Sequence, residues 1–147
     1  MKRLLPLLFL AFIFTTSTQV NAQNPADWET YFENDTVKIE YTYQNCEYTE
    51  QFNNEFLIVK ISNLTNNELI IEWKEELWYD DDCINCESGS DEFNKTVTIP
   101  ENTTIEGDCL TPNALRIFSK FTEYLTDMPG INKITILTDF QLENLKY

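Results

Sequence analysis

The residues best suited to chemistry lie side by side in the middle of the chain. Cys83-Ile84-Asn85-Cys86 is a C-x-x-C, the spacing of a redox dithiol and of half a four-cysteine zinc site. Around it runs an acidic segment, 80–92, with carboxylates at Asp80, Asp81, Asp82, Glu87, Asp91 and Glu92. Negative neighbours disfavour a thiolate, and reactive C-x-x-C cysteines sit in electropositive settings. Zinc would want a second C-x-x-C, which the chain lacks. Calcium takes six to eight oxygen ligands of this kind. The spacing D-D-D-C-I-N-C-E-S-G-S-D-E does not follow the alternating D-x-D-x-D-G ladder, so Asp80, Asp82, Glu87 and Asp91 are weak calcium candidates and a solvated acidic loop is expected. Trp78-Tyr79 precedes that loop and would suit stacking on a sugar ring or contact with a protein. The alternative is that Trp78 packs at the rim of a sheet.

Other chemistries are harder to build. There is no histidine anywhere, which removes the commonest general base, the Ser-His-Asp triad and the usual zinc and copper ligands. The three glycines, Gly89, Gly107 and Gly130, are isolated, so no phosphate-cradling loop forms. Paired carboxylates raise a small hydrolase as a further alternative, but that reaction needs two acids facing across a cleft. No catalytic residue and no cofactor is expected, and the chain reads as a non-enzyme.

Residues 1–22 read as a secretory signal peptide: Lys2 and Arg3, then an apolar run from Leu4 to Phe14, then Val20-Asn21-Ala22 at a cleavage site. The run is too short to span a bilayer comfortably, and no stop-transfer segment follows. A secreted or periplasmic protein results, with Cys46, Cys83, Cys86 and Cys109 all after the cut in an oxidising compartment. Two disulfides are expected, with all three connectivities open. Loss of Lys2 and Arg3 would move the formal net charge from −15 to −17, which disfavours nucleic acid and anionic lipid as partners. A protein or glycan at the envelope remains as the partner class, and the oligomeric state stays open.

The elements that must position these residues read as strands. Segment 23–35 looks like a loose lead-in to a domain over 36–147. Val37, Ile39, Tyr41 and Tyr43 alternate with Lys38, Glu40 and Thr42, a half-buried strand. Phe56 to Ile61 and Leu69 to about Tyr79 follow, separated by the turn cluster SNLTNN. Trp73 continues the inward set Leu69 and Ile71. Glu75 falls on the same parity, which suggests a bulge after it. Further strands are expected at Thr96–Pro100, 103–108 and Ile134–Leu142. Segment 111–128 is ambiguous, because LRIFSKF alternates while Leu115, Phe118, Phe121, Leu125 and Met128 recur at helical steps. A strand fits the rest of the chain, and a helix over 112–128 is the alternative. N-x-S/T sequons begin at Asn34, Asn63, Asn94 and Asn102.

Six to seven short strands in one domain point to an all-β, two-sheet antiparallel sandwich. On the strand pair FLIVKISNLTNNELIIEW, the segment VTIPENTTIEGDC and the closing ITILTDFQLENL, the chain resembles the immunoglobulin-like and fibronectin-III-like domains of small exported bacterial proteins. The resemblance implies the sandwich fold with Trp73 in its core. It implies no active site, because such domains host many functions. The chain thus reads as an exported, non-enzymatic β-sandwich module, binding or structural at the bacterial envelope. A calcium-dependent binding module is the alternative. The same antiparallel topology would bring all four cysteines to one end, stapling the acidic loop.

Overall fold

The computed structural model describes residues 27–47, 53–122 and 134–147. The signal segment 1–22 and its cleavage site lie outside the described residues. Nine strands are described: β1 (Glu29–Glu33), β2 (Val37–Glu47), β3 (Asn53–Asn63), β4 (Leu69–Tyr79), β5 (Asp82–Cys83), β6 (Asn94–Ile99), β7 (Thr104–Glu106), β8 (Arg116–Phe121) and β9 (Leu137–Lys146). They form two antiparallel sheets, the two-sheet sandwich that the alternating patterns imply.

Strands β2, β3 and β4 are the long central ones. On β2 and β4 apolar side chains mostly face one way and charged or polar ones the other, whereas β3 buries Phe56, Leu57, Ile58 and Val59 in a row, so both of its faces are covered there. The inward set packs as one core: Val37, Ile39, Leu57, Val59, Ile61, Ile71, Trp73, Leu77 and Ile99, with Leu115, Ile117 and Phe140 closing it. Trp73 is 3% exposed, as its place beside Leu69 and Ile71 requires.

Both sheets repeat one device. Lys60 of β3 pairs with Glu40 of β2 and with Glu106 of β7, while Ile58 pairs with Thr42 of β2 and with Arg116 of β8. β7 and β8 therefore occupy the same flank of β3, one after the other. In the second sheet β5 and β6 share one flank of β4, because each lies opposite β9. Each flank is one strand's worth of pairing interrupted by an excursion, 84–93 in one sheet and 107–115 in the other. Each excursion carries a cysteine.

The 107–115 excursion closes on a tight crossing. The Gly107 N–H donates to Val59 O, and the Val59 N–H donates to Leu115 O. A Cβ on Gly107 would lie 2.2 Å from that Leu115 oxygen, so only glycine lets the chain leave and rejoin β3 at a single residue. Cys109 on this excursion bonds to Cys46 of β2, across 63 residues. The bridge lies over the outer face of the first sheet. There Cys46, Phe56 and Ile58 are buried beneath Trp28, Cys109 and Phe118. Arg116 covers the Phe56 ring at 4.6 Å, and Lys60 the Trp28 ring at 4.0 Å.

Several expectations change. Segment 23–35 contains β1, which pairs with β2 from Glu29↔Tyr41 to Glu33↔Lys38. Its five residues are too few, and too interrupted by polar side chains, to show a period. With β1 and the two-residue β5, the described strands number nine rather than six to seven. Within 111–128 the strand reading, not the helical alternative, holds for Arg116–Phe121, because β3 supplies a hydrogen-bonding flank. Residues 123–128 of that segment lie outside the described residues. The last strand begins at Leu137, later than Ile134, and runs on to Lys146. Alternation on β4 continues through Glu75 with no bulge at that residue; the irregularities of register lie at Glu72/Lys74 and Trp78/Tyr79 of its pairing with β9. The Asn63 sequon is closed to modification: the side chain is 2% exposed, and its Nδ2 donates to the carbonyls of Asn67, Ile99 and Pro100.

Candidate functional site

The acidic C-x-x-C segment is a folded hairpin rather than a free loop. After Tyr79 the chain reverses at Asp80 (φ 51°) and Asp81 (φ 72°). Two successive left-handed residues turn a hairpin in the sense that matches strand twist. The turn is tied to the start of β9. The Asp80 N–H donates to Ile136 O, the Asp80 carboxylate accepts from the Ile136 N–H, and the Asp81 N–H donates to Thr138 Oγ1. Asp82 and Cys83 then pair with Tyr79 and Trp78.

Beyond Cys83 the backbone leaves β4, and a side chain takes over the pairing. Asn85 is 2% exposed. Its Oδ1 accepts from the Leu77 N–H at 2.8 Å, and its Nδ2 donates to Glu75 O at 2.8 Å. The Ile84 N–H donates to Leu77 O. An amide side chain offers one donor and one acceptor, as a strand residue does. Asn85 therefore fills the gap between β5 and β6. The Cys83–Cys86 disulfide closes the turn that holds it there. Two groups meet this disulfide, one from the turn itself and one from β4. The Cys86 N–H donates to Cys83 Sγ at 3.0 Å. Lys74, from β4, donates to Cys86 O at 3.3 Å while pairing with Glu76 at 3.1 Å.

The structure separates the residues expected to act together. Trp78 and Tyr79 lie on opposite faces of β4. Trp78 is half-buried beside Cys83. Tyr79 turns inward and donates its hydroxyl to Phe118 O. Burial, and then the Glu75 charge, pushes its phenol up to about 12. They form no common stacking platform. Of the calcium candidates, Asp80 is engaged at the turn and Asp91 accepts from Asn94 Nδ2. Among the described residues no three His, Cys, Asp or Glu side chains come together in a way that could hold a metal ion. The disulfides pair Cys46 with Cys109 and Cys83 with Cys86, so only the second staples the acidic segment.

Two groupings arise that spacing alone does not show. Glu75 is buried among the inward residues of β4, and Lys95 of β6 reaches its Oε2 at 3.5 Å. Burial pushes the Glu75 carboxyl up to about 7, with Lys95 opposing the shift. The second grouping is an aromatic ladder running out of the core. Tyr31 stacks on Phe140 at 5.2 Å, Phe140 meets Tyr41 at 5.1 Å, and Tyr41 meets Tyr43 at 6.3 Å. Glu29 accepts from the Tyr41 hydroxyl at 2.6 Å, and that bond, with burial, pushes the phenol up to about 12. Tyr43 ends the ladder, 45% exposed. Its phenol is raised by burial and by the nearby charges of Glu55, Glu29 and Asp139. Tyr43 was legible as a strand residue. Its carboxylate neighbours come from the lead-in, β3 and β9, and no local pattern joins them.

Comparison with family models, with curated proteins and with solved structures finds no match. The functional reading therefore rests on the chain's own geometry. One more surface belongs to that geometry. A groove of about 410 Å³ crosses β6, β4 and the end of β9, lined by Glu72, Lys74, Asn94, Thr96, Asn144 and Lys146. Its lysine at position 74 is already committed to Glu76 and to the C-x-x-C turn.

Proposed function

We propose that this chain is an exported, non-enzymatic β-sandwich module of the bacterial envelope that binds a cationic segment of a protein partner through the Tyr43 end of its aromatic ladder. The resemblance to immunoglobulin-like domains is part of the same reading, and the two antiparallel sheets support it. Export is supported by the charged start, apolar run and cleavage pattern of residues 1–22 and by the two disulfides.

The observation that carries the binding reading is the setting of Tyr43. An exposed aromatic face attracts a cation through its quadrupole. Glu29 and Asp139 add charge of the complementary sign, while Glu55, the third carboxylate nearby, is already paired with Lys120 at 3.2 Å. The formal net charge of −15 draws a basic partner toward the same surface. Tyr41, itself packed on Phe140, meets the Tyr43 ring edge-on at 6.3 Å, so less order is lost when a guanidinium or ammonium lands on it.

A fluorescent peptide carrying spaced arginines is the probe. Its affinity for the parent, measured by anisotropy at physiological salt, should fall about 5-fold in Tyr43→Ala, the scale of one exposed cation–π contact. A distant charge change, Asp91→Asn, should leave affinity within about 2-fold once salt is matched. Equal loss in both variants would mean that only net charge attracts the peptide, and the Tyr43 site would be wrong.

A further inference from the structure

We propose that the Cys83–Cys86 disulfide is a thiol–disulfide exchange site, open to a dithiol reductant in the native protein, and that its reduction releases the Asn85 clamp from β4. The acidic neighbours of the C-x-x-C argue against this in the sequence. The fold adds one hydrogen-bond donor to a sulfur and one cation beside the turn. The Cys86 N–H points at Cys83 Sγ, and the Lys74 ammonium reaches the carbonyl of Cys86 from the adjacent strand. Asp80 turns its carboxylate to the Ile136 N–H at the hairpin tip. Beside the turn, Lys74 pairs with Glu76 of β4, and Asp82 and Glu87 adjoin the two cysteines in the chain. Cys83 and Cys86 are both partly exposed, and Ile84 between them is 59% exposed. Cys46, by contrast, is 1% exposed beneath the outer aromatic layer, so its bridge to Cys109 is shielded on one side.

The hydrogen bond sets the direction of exchange. A thiolate of the dithiol attacks Cys86 Sγ and forms a mixed disulfide with it. The Cys83–Cys86 bond breaks, and its electron pair leaves on Cys83 Sγ, where the Cys86 N–H already donates. The second thiolate of the reductant then attacks its own sulfur in the mixed disulfide and displaces Cys86 Sγ. The reductant ends as a disulfide, having given two electrons. The two protons from its thiols end on Cys83 and Cys86.

The conformational consequence follows from Asn85. Its amide stands in for a strand only while the closed turn holds it against Glu75 and Leu77. Opening the turn restores backbone and side-chain freedom to 83–86. The Leu77 N–H and the Glu75 carbonyl then lose their partner, so the flank of β4 between β5 and β6 opens while the rest of the sandwich stays folded.

The test uses the full-length protein under native conditions. Excess dithiothreitol is followed by quenching with a thiol alkylator and peptide mass mapping. Cys83 and Cys86 should become labelled about 10-fold faster than Cys46 and Cys109, because in that bridge only Cys109 is partly exposed while Cys46 lies 1% exposed beneath the outer layer. Labelling of all four at one rate would overturn the exchange site. Hydrogen exchange at the Leu77 amide should accelerate at least about 10-fold on selective reduction, while that at Val59 stays unchanged. Unchanged protection at Leu77 would overturn the clamp. In Cys86→Ser the remaining Cys83 should alkylate faster at neutral pH than Cys86 does in Cys83→Ser, because only Cys83 receives the residue-86 amide. The reverse order would overturn the direction of attack. None of these readouts depends on the Tyr43 surface.

Discussion

Trp73 and Glu75 sit two residues apart on one face of β4, and together they show how an inward position is used. Trp73 is 3% exposed, and its Nε1 has no hydrogen-bond partner among the described residues. Its contribution is therefore area and volume. Trp73→Ala should cost roughly 3–5 kcal/mol in urea-induced unfolding. Trp73→Phe, which also removes a buried donor without a partner, should cost markedly less. A loss under about 1 kcal/mol for the alanine variant would place Trp73 at the surface. Glu75 uses its position differently. Burial raises its folded carboxyl from an ordinary 4.5 to about 7, with Lys95 and Tyr79 as the facing titratable groups. The folded chain then holds this proton more tightly than the unfolded chain. Stability from the group is complete below pH about 4.5 and is lost as pH rises through about 7. The unfolding free energy of the parent, relative to Glu75→Gln, should fall across that window. Parallel pH profiles for the two proteins would show that Glu75 titrates as it does in water.

At the scale of elements, an interrupted flank is what the chain uses in place of two more long strands. In the first sheet the interruption depends on Gly107, where a Cβ would meet the Leu115 carbonyl that Val59 needs. Gly107→Ala should destabilise by about 2 kcal/mol through forced movement of that backbone. Gly89→Ala, with nothing within 4 Å of the new Cβ, should stay within about 0.5 kcal/mol of the parent. Thermal melts of the two variants separate these outcomes, and equal losses would refute the crossing. The edges of the sheets are managed too. On β9 the Phe140 N–H donates to Asp139 Oδ1, and the Leu142 N–H donates to the Tyr31 hydroxyl, so two amides are taken by side chains. On β6 Lys95 points inward, a charge that a strand added to that edge would have to bury.

These elements also show where the chain is readable and where it is not. The three long strands were legible for two reasons: β2 and β4 alternate, and β3 carries the β-branched-rich run Phe56–Ile61, buried on both faces. The position of Trp73 followed from the same parity. β1 was not legible: its apolar residues, Tyr31 and Phe32, are held by contacts with Phe140 and Tyr147 more than a hundred residues away. Glu75 looked like a break in the pattern because its partner Lys95 comes from another strand. Asn85 was invisible as a structural residue, since a side-chain amide pairing with a strand leaves no period. The candidate site shared this fate. The C-x-x-C and its carboxylates stand out in the sequence, whereas Lys74 and the Tyr43 surroundings exist only once strands are paired.

For the whole molecule the two disulfides have unequal tasks, set by the lengths of chain they close. Cys46–Cys109 spans 63 residues and ties β2, in the middle of the first sheet, to the excursion beyond β7. Cys83–Cys86 spans three and acts on one flank of β4. Loop closure in the unfolded chain makes the first bridge worth about 4 kcal/mol and the second about 2 kcal/mol. The long bridge also covers Phe56 and Ile58, so its loss uncovers apolar surface as well as freeing the chain. Replacing Cys46 and Cys109 together by serine should therefore lower the melting temperature well below that of the Cys83→Ser/Cys86→Ser protein. The second variant should keep a cooperative transition and an intact core, with change confined to exchange around Leu77. Calorimetry of the two variants decides between this division and a shared role. If the short bridge proves the costlier to lose, the sandwich depends on the acidic hairpin as a whole, and the outer layer over Phe56 is secondary.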